Sequence, residues 1–128
     1  MRWLLLAWVL AVVPAAAHDA AADVRLARML RYSHGPENGV APDPAGAARL
    51  FERAALAGDA DAAFTLANML RDGEGMARDA AAARRWLERA AEGGSPEALQ
   101  QLAMEEPDPA RAAQLLREAA HALTHSVR

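Results

Sequence analysis

DAAAARRWLERAAEGG, residues 79–94, is the stretch that decides the fold. Moved back 36 positions it lies on DPAGAARLFERAALAG, residues 43–58, with the aspartate, the Glu-Arg-Ala-Ala run and the closing glycine in place. Moved forward 29 positions it lies on DPARAAQLLREAAHA, residues 108–122, with the aspartate and an Ala-Ala pair again aligned. Each copy opens on a residue type that caps helices and continues through strong helix formers. Nothing in the chain alternates with the two-residue period of a strand. Three helical copies predict an all-α solenoid, in which each helix pair buries its apolar stripe against its neighbours.

The partner helix of each pair, the A helix, lies upstream of its copy, the B helix. ADVRLARMLRYSHG, residues 22–35, carries Val24, Leu26, Ala27, Met29 and Leu30 at helical spacing and is stopped by Gly35 and Pro36. LANML, residues 66–70, repeats LARML, residues 26–30, at a shift of 40, so the first repeat holds four extra loop residues between Tyr32 and Gly39. Asp43 and Pro44 open the next helix as N-cap and first helical residue, which runs to about Ala57 and ends on Gly58 in a left-handed conformation. Asp59 caps the second A helix, Gly73 and Gly75 close it, and Asp79 caps the second B helix. Ser95 and Pro96 start the third copy, in which Ala98, Leu102 and Ala103 match Ala62, Leu66 and Ala67. There the connecting loop shrinks to EEPDP, and Leu123 replaces the closing glycine, so the last helix continues toward Thr124. Trp86 stands where Leu50 and Leu115 stand in the other copies and is expected to be the largest wedge in the core.

The ends and the composition narrow the setting. MRWLLLAWVLAVVPAAAHDA places Arg2, an apolar run of about 11 residues and Ala15-Ala16-Ala17 in the order of a secretory signal peptide, with cleavage expected after Ala17. That run falls short of the roughly 20 residues a spanning helix needs, and Pro14 follows it, so no stable membrane insertion is expected after cleavage. Residues 1–17 are therefore the leader, and 18–128 the domain, with repeats at about 22–58, 59–94 and 95–125. The chain has no cysteine, which removes disulfides and thiolate metal sites and leaves stability to packing and helix propensity. Every basic residue is arginine, and losing Arg2 moves the formal net charge from -3 to -4. Such a chain gains nothing from a phosphate backbone, so no nucleic-acid partner is expected. The lysine-free, alanine-rich usage resembles that of a GC-rich bacterial genome, which makes the periplasm, or secretion, the expected destination.

ADAAFTLANMLRDGEGMARDAAAARRWLERAAEGG, residues 60–94, resembles the Sel-one-like repeat family in Ala62, Leu66, Ala67, Leu70, Gly73, Gly75, Met76, Asp79, Ala83, Trp86, Ala90, Ala91 and Gly94. The resemblance covers about residues 22–122, strongest in the second copy and weakest in the third. It implies a right-handed α/α solenoid of about three helix pairs, six helices in all, related to tetratricopeptide repeats. It also implies a scaffold or adaptor, exported bacterial members taking part in envelope assembly, polysaccharide secretion or signalling. Leu70 stands for the usual aromatic, Ala82 for the usual lysine, and the third copy lacks the Gly-x-Gly loop. Without cysteine, the properties of the family's disulfide-tied members do not carry over.

Stacked helix pairs leave a groove lined by A helices, and that groove is the expected site of partner binding. With Ala63, Leu66, Ala67 and Leu70 turned to the partner helix, the outward positions are Asp61, Phe64, Asn68 and Arg71 in the second repeat. Their equivalents are Ala21, Val24, Arg28 and Arg31 in the first and Glu97, Gln100 and Met104 in the third. Arginine takes carboxylates bidentately and aromatics fill pockets, so the expected partner is a protein or peptide of the cell envelope, offering an acidic or C-terminal segment. The plainer reading makes these arginines solvated helix charges, and a further one makes the chain a structural stub.

An alternative from another class is a small periplasmic metal-binding protein using His121 and His125, four residues apart on one helix face, with His18 at the mature N-terminus. The helix dipole by itself favours histidines at that end, and two ligands are fewer than a structural zinc site uses. Glu52-Arg53 and Glu88-Arg89 recur with the scaffold and so read as surface charges, with partners such as Arg49 and Arg84. His34 reads as a solvated turn residue. No catalytic triad spacing, HExxH, phosphate loop or dinucleotide fingerprint occurs, so neither enzyme activity nor a cofactor is expected.

Overall fold

A computed structural model describes residues 19–33, 39 and 41–125. The leader assigned to 1–17, together with His18 and His34, lies outside the described residues. Within them the chain forms six helices and no strand: α1 (Ala20–Tyr32), α2 (Pro44–Leu56), α3 (Ala60–Asp72), α4 (Ala80–Glu92), α5 (Pro96–Glu105) and α6 (Pro109–His125). Each helix packs on the next in the chain, as expected of an all-α solenoid of three helix pairs.

The caps that set these boundaries are local. Asp43 accepts from Gly46 N at 2.8 Å, Asp59 from Ala62 N at 2.8 Å, Asp79 from Ala82 N at 2.9 Å and Ser95 from Ala98 N at 3.3 Å. Each satisfies one of the donors a helix start leaves open. The joints repeat as well. Within a pair, the cap amide donates back to the A helix, Asp43 N to Leu30 O and Asp79 N to Leu70 O; between pairs, Asp59 N donates to Ala54 O and Ser95 N to Ala90 O. Gly58 and Gly94 adopt φ of 100° and 87° at these joints. The last helix runs to His125, past the position where the other copies stop.

Packing rests on small residues. Ala27, Ala47, Ala54, Ala90 and Ala98 are completely buried, which lets helix backbones approach closely. Two clusters result, one around Val24, Phe51, Leu66 and Met69, the other around Ala63, Leu87, Ala90 and Leu102. The sequence expectation for Trp86 needs correction here. Phe51, Leu66 and Met69 are the large side chains that are fully buried, whereas Trp86 is half-buried, packs against both clusters, and holds the Arg89 guanidinium 5.0 Å from its ring centroid. It seals the joint between the clusters from outside.

The Gly-Glu-Gly loop after α3 fixes the second pair to the first. Gly73 takes φ of 73° and ends α3. Gly75, at φ of 72°, lies so near the start of α2 that a Cβ there would stand 2.4 Å from the Pro44 carbonyl carbon and oxygen. Between them, Glu74 receives both Arg31 Nε at 2.8 Å and Arg31 Nη2 at 2.7 Å. Inside the first pair, Arg53 Nε donates to Asp23 at 2.7 Å, and Asp23 is buried. So Arg53 is an inter-helix clamp rather than a plain surface charge, while Arg84 does pair with Glu88 at 2.8 Å along α4, as expected.

Two stability tests follow from this packing. Gly75→Ala combines a left-handed residue with a backbone collision and is expected to cost about 2 kcal/mol or more in chemical denaturation, whereas Gly39→Ala, with open space around its Cβ position, should cost less. Phe51→Ala is expected to cost about 3–5 kcal/mol and Trp86→Ala less; the opposite order would put the principal wedge back at Trp86.

Candidate functional site

The outward positions of the three A helices divide into three sets. Arg28, Arg71, Gln100 and Met104 are exposed, Met104 by 80%. Phe64 and Asn68 are half-buried, and Phe64 packs against the second cluster. Val24 does not line an open face: it is 8% exposed and belongs to the first cluster with Ala47, Phe51 and Leu66. Its position borders the apolar stripe, and in α1 a valine fits the core where α3 carries a phenylalanine and α5 a glutamine. Arg31 is committed as well, because its side chain is only 16% exposed and its guanidinium is occupied bidentately by Glu74. Glu74 and burial act in opposite directions on Arg31, and the hydrogen bond to Glu74, the larger effect, raises its pKa.

What remains is a face of mixed charge. Asp61, in the first turn of α3, is exposed to solvent on one side, and partial desolvation of its carboxyl by the neighbouring helix ends, then Asp59 and Glu97, push it above the usual range, with Arg28 opposing. The carboxylates gather at the N-terminal ends of α3 and α5. Arg71 lies in the last turn of α3, 3.3 Å from Asp72. Arg28 of α1 and Glu97 of α5 thus both lie near enough to Asp61 of α3 to act on its carboxyl.

A second concavity lies between α4, α5 and α6, where Arg84, Glu88, Leu99, Leu102, Arg111 and Leu115 face one another. Both of its cations are engaged, Arg84 by Glu88 and Glu105 and Arg111 by Glu106. The histidine pair takes a form the spacing did not predict. The rings of His121 and His125 stack at 4.1 Å between centroids, and His125 Nδ1 lies 3.0 Å from the His121 carbonyl oxygen. Stacked rings present faces to each other rather than two nitrogens to one point, and no group of three or more His, Asp or Glu suited to a metal occurs among the described residues.

Sequence reasoning missed the Arg53–Asp23 and Arg31–Glu74 clamps. A signal for the first exists: Asp23 occupies the register of Ala63 and Leu99, so an acid sits where its copies are apolar. Glu74 carries no such signal, since a charged residue between two glycines reads as loop.

The comparisons with known proteins agree with this architecture. The Sel1 repeat model matches residues 20–59, 60–95 and 97–122. Among solved structures, a Sel1 repeat protein from Oxalobacter formigenes is similar at 26% identity and a TM-score of 0.72, over 87% of this chain and 46% of that one. A protective antigen of uropathogenic Escherichia coli strains, displaying an SLR fold, is similar in fold at 22% identity and a TM-score of 0.69, over 81% of this chain and 23% of that one. The chain therefore spans less than half the length of either. A comparison with curated protein sequences finds no match. Three consecutive matches over helices that stack pair on pair, with Gly73 and Gly75 at the A-to-B turn of the second, show that the chain belongs to the Sel1 repeat family.

Proposed function

We propose that the chain is a non-catalytic adaptor of the bacterial envelope, exported by residues 1–17, that takes an extended segment of a partner protein across α1, α3 and α5. The Sel1 repeat fold serves generally as a protein–protein interaction module, which supports the class. The observation that carries the finer reading is electrostatic continuity. Arg28 of α1 and Glu97 of α5 both act on the Asp61 carboxyl of α3, so a ligand can engage all three A helices together.

The ligand is a peptide with a carboxylate, side-chain or C-terminal, directed at Arg28 and Arg71, and an apolar side chain laid on Met104 and the open edge of Phe64. Methionine suits such a contact because its unbranched thioether adapts to the shape presented. Arg31 and Val24 drop out of the site, the one held by Glu74 and the other buried.

Crosslinking in cells tests the site. The double substitution Arg28→Glu and Arg71→Glu is expected to lower partner capture about tenfold or more without loss of helicity, since it turns two attractive charges into repulsive ones. Capture at the wild-type level would refute this surface.

Asp61 gives an independent reading of the same face. A carboxyl with a folded pKa above its unfolded value binds its proton more readily when folded, so its contribution to stability grows as pH falls through the folded pKa. Melting of the wild type relative to Asp61→Asn is therefore expected to rise on moving from neutral to mildly acidic buffer. A relative fall would mean that the α3 dipole outweighs burial at this position.

A further inference from the structure

The two end faces of the stack are copies of the two sides of its first internal joint. In α3, Ala62, Leu66 and Met69 are 1%, 1% and 0% exposed, because α2 covers them. Their equivalents in α1 are Ala22, Leu26 and Met29. Ala22 is half-buried, and Leu26 and Met29 are 46% and 53% exposed. At the other end, Phe51 of α2 and Leu87 of α4 are 2% and 3% exposed, whereas Leu116, at the same register of α6, is 51% exposed. The α6 residues flanking it on that face, Ala113 and Ala120, stand where Ala48 and Ala55 stand in α2.

We propose that copies of this chain associate head to tail, α6 of one copy packing on α1 of the next as α2 packs on α3. The occupant of each end face is thus the opposite end of a second copy. The register selects it. At the second joint, between α4 and α5, the position of Ala48 is Arg84 and the position of Met69 is Glu105, and the two form an ion pair at 2.9 Å. At the first joint the same positions are the apolar Ala48 and Met69, both in one core cluster. Across the ends they are Ala113 and Met29, apolar again. Leu116 against Leu26 repeats Phe51 against Leu66. No charge at either of these position pairs is left to be buried without a counterpart, which is the usual obstacle to such a contact.

The contact uses different patches on the two partners, so it is heterologous and does not close at a dimer unless a ring forms. It goes beyond the proposed partner binding, and it spares Arg28 and Arg71, so either reading can fail alone. Sedimentation velocity of the purified protein tests it. The weight-average sedimentation coefficient is expected to rise with concentration, and Met29→Glu or Leu116→Glu, both at exposed sites, to hold the protein monomeric while circular dichroism stays unchanged. Mixing the two variants is decisive. Each retains one intact end, so the mixture is expected to form a one-to-one pair and to stop there. A wild type that stays monomeric overturns the proposal. So does association indifferent to both substitutions, as the apolar run of residues 3–13 would produce. So do a Leu116→Glu protein that still dimerises by itself, as a symmetric α1-to-α1 contact would give, and a mixture that stays monomeric.

Discussion

The close approach of helix backbones along an alanine seam is the constraint on which this structure depends. Ala27, Ala47, Ala54, Ala62, Ala90 and Ala98 are buried to within 1%, so the space between helices is set by methyl groups rather than by branched side chains. Little volume is then left for large residues, and Phe51, Leu66 and Met69 fill it in the first cluster. A seam of this kind tolerates no added bulk, because an interior at crystal-like density has nowhere to move it. The same closeness explains the glycines. Gly75 passes over the start of α2 at a distance only a hydrogen atom can occupy, and that passage lets Glu74 reach Arg31.

How much of this could be read from the sequence follows from the range of each interaction. Asp43, Asp59, Asp79 and Ser95 act within three residues of themselves, so the caps and the order of the six helices were legible. So were the repeat register and the unbroken last helix, which depend on spacing alone. The ranking of the core residues was not. Trp86 and Phe51 both lie on B helices one register position apart, and only the neighbouring pair decides which of them is enclosed. Val24 sits at the border of the stripe for the same reason. The two clamps join residues 30 and 43 positions apart, and no local pattern ties such partners together. Of the candidate surface, the helix face was legible, but not the loss of Arg31 from it.

Those clamps also decide the chemistry of the outward face. An arginine held bidentately has spent its planar fork and offers little to a ligand. With Arg31 engaged by Glu74, the cations left at the groove positions are Arg28 and Arg71, and each has an acid nearby, Asp61 in one case and Asp72 in the other. Charge then works as orientation rather than as bulk attraction. A ligand taken up on this face, as proposed, would meet Asp61 and Glu97 together with Arg28, which would select against a uniformly acidic chain and for one whose charge changes sign along its length. Selectivity would come from the repulsive element as much as from the attractive one.

A stack of repeats carries its internal interfaces to its surface, because each end face is the unsatisfied half of a joint that exists inside. Repeat proteins avoid the consequence by making outer faces polar, and the α4–α5 joint shows how little polarity takes, since an arginine at the register of Ala48 and a glutamate at that of Met69 convert an apolar contact into an ion pair. At those two register positions α1 has Met29 and α6 has Ala113, neither of them charged. Leu26, Met29 and Leu116 keep the apolar character of Leu66, Met69 and Phe51 while being about half exposed. Scattered apolar side chains on a surface need no explanation; three that fall at equivalent positions on opposite ends, and match across them, do. A module whose ends complement each other can lengthen its binding face by adding copies, with no change in any single one.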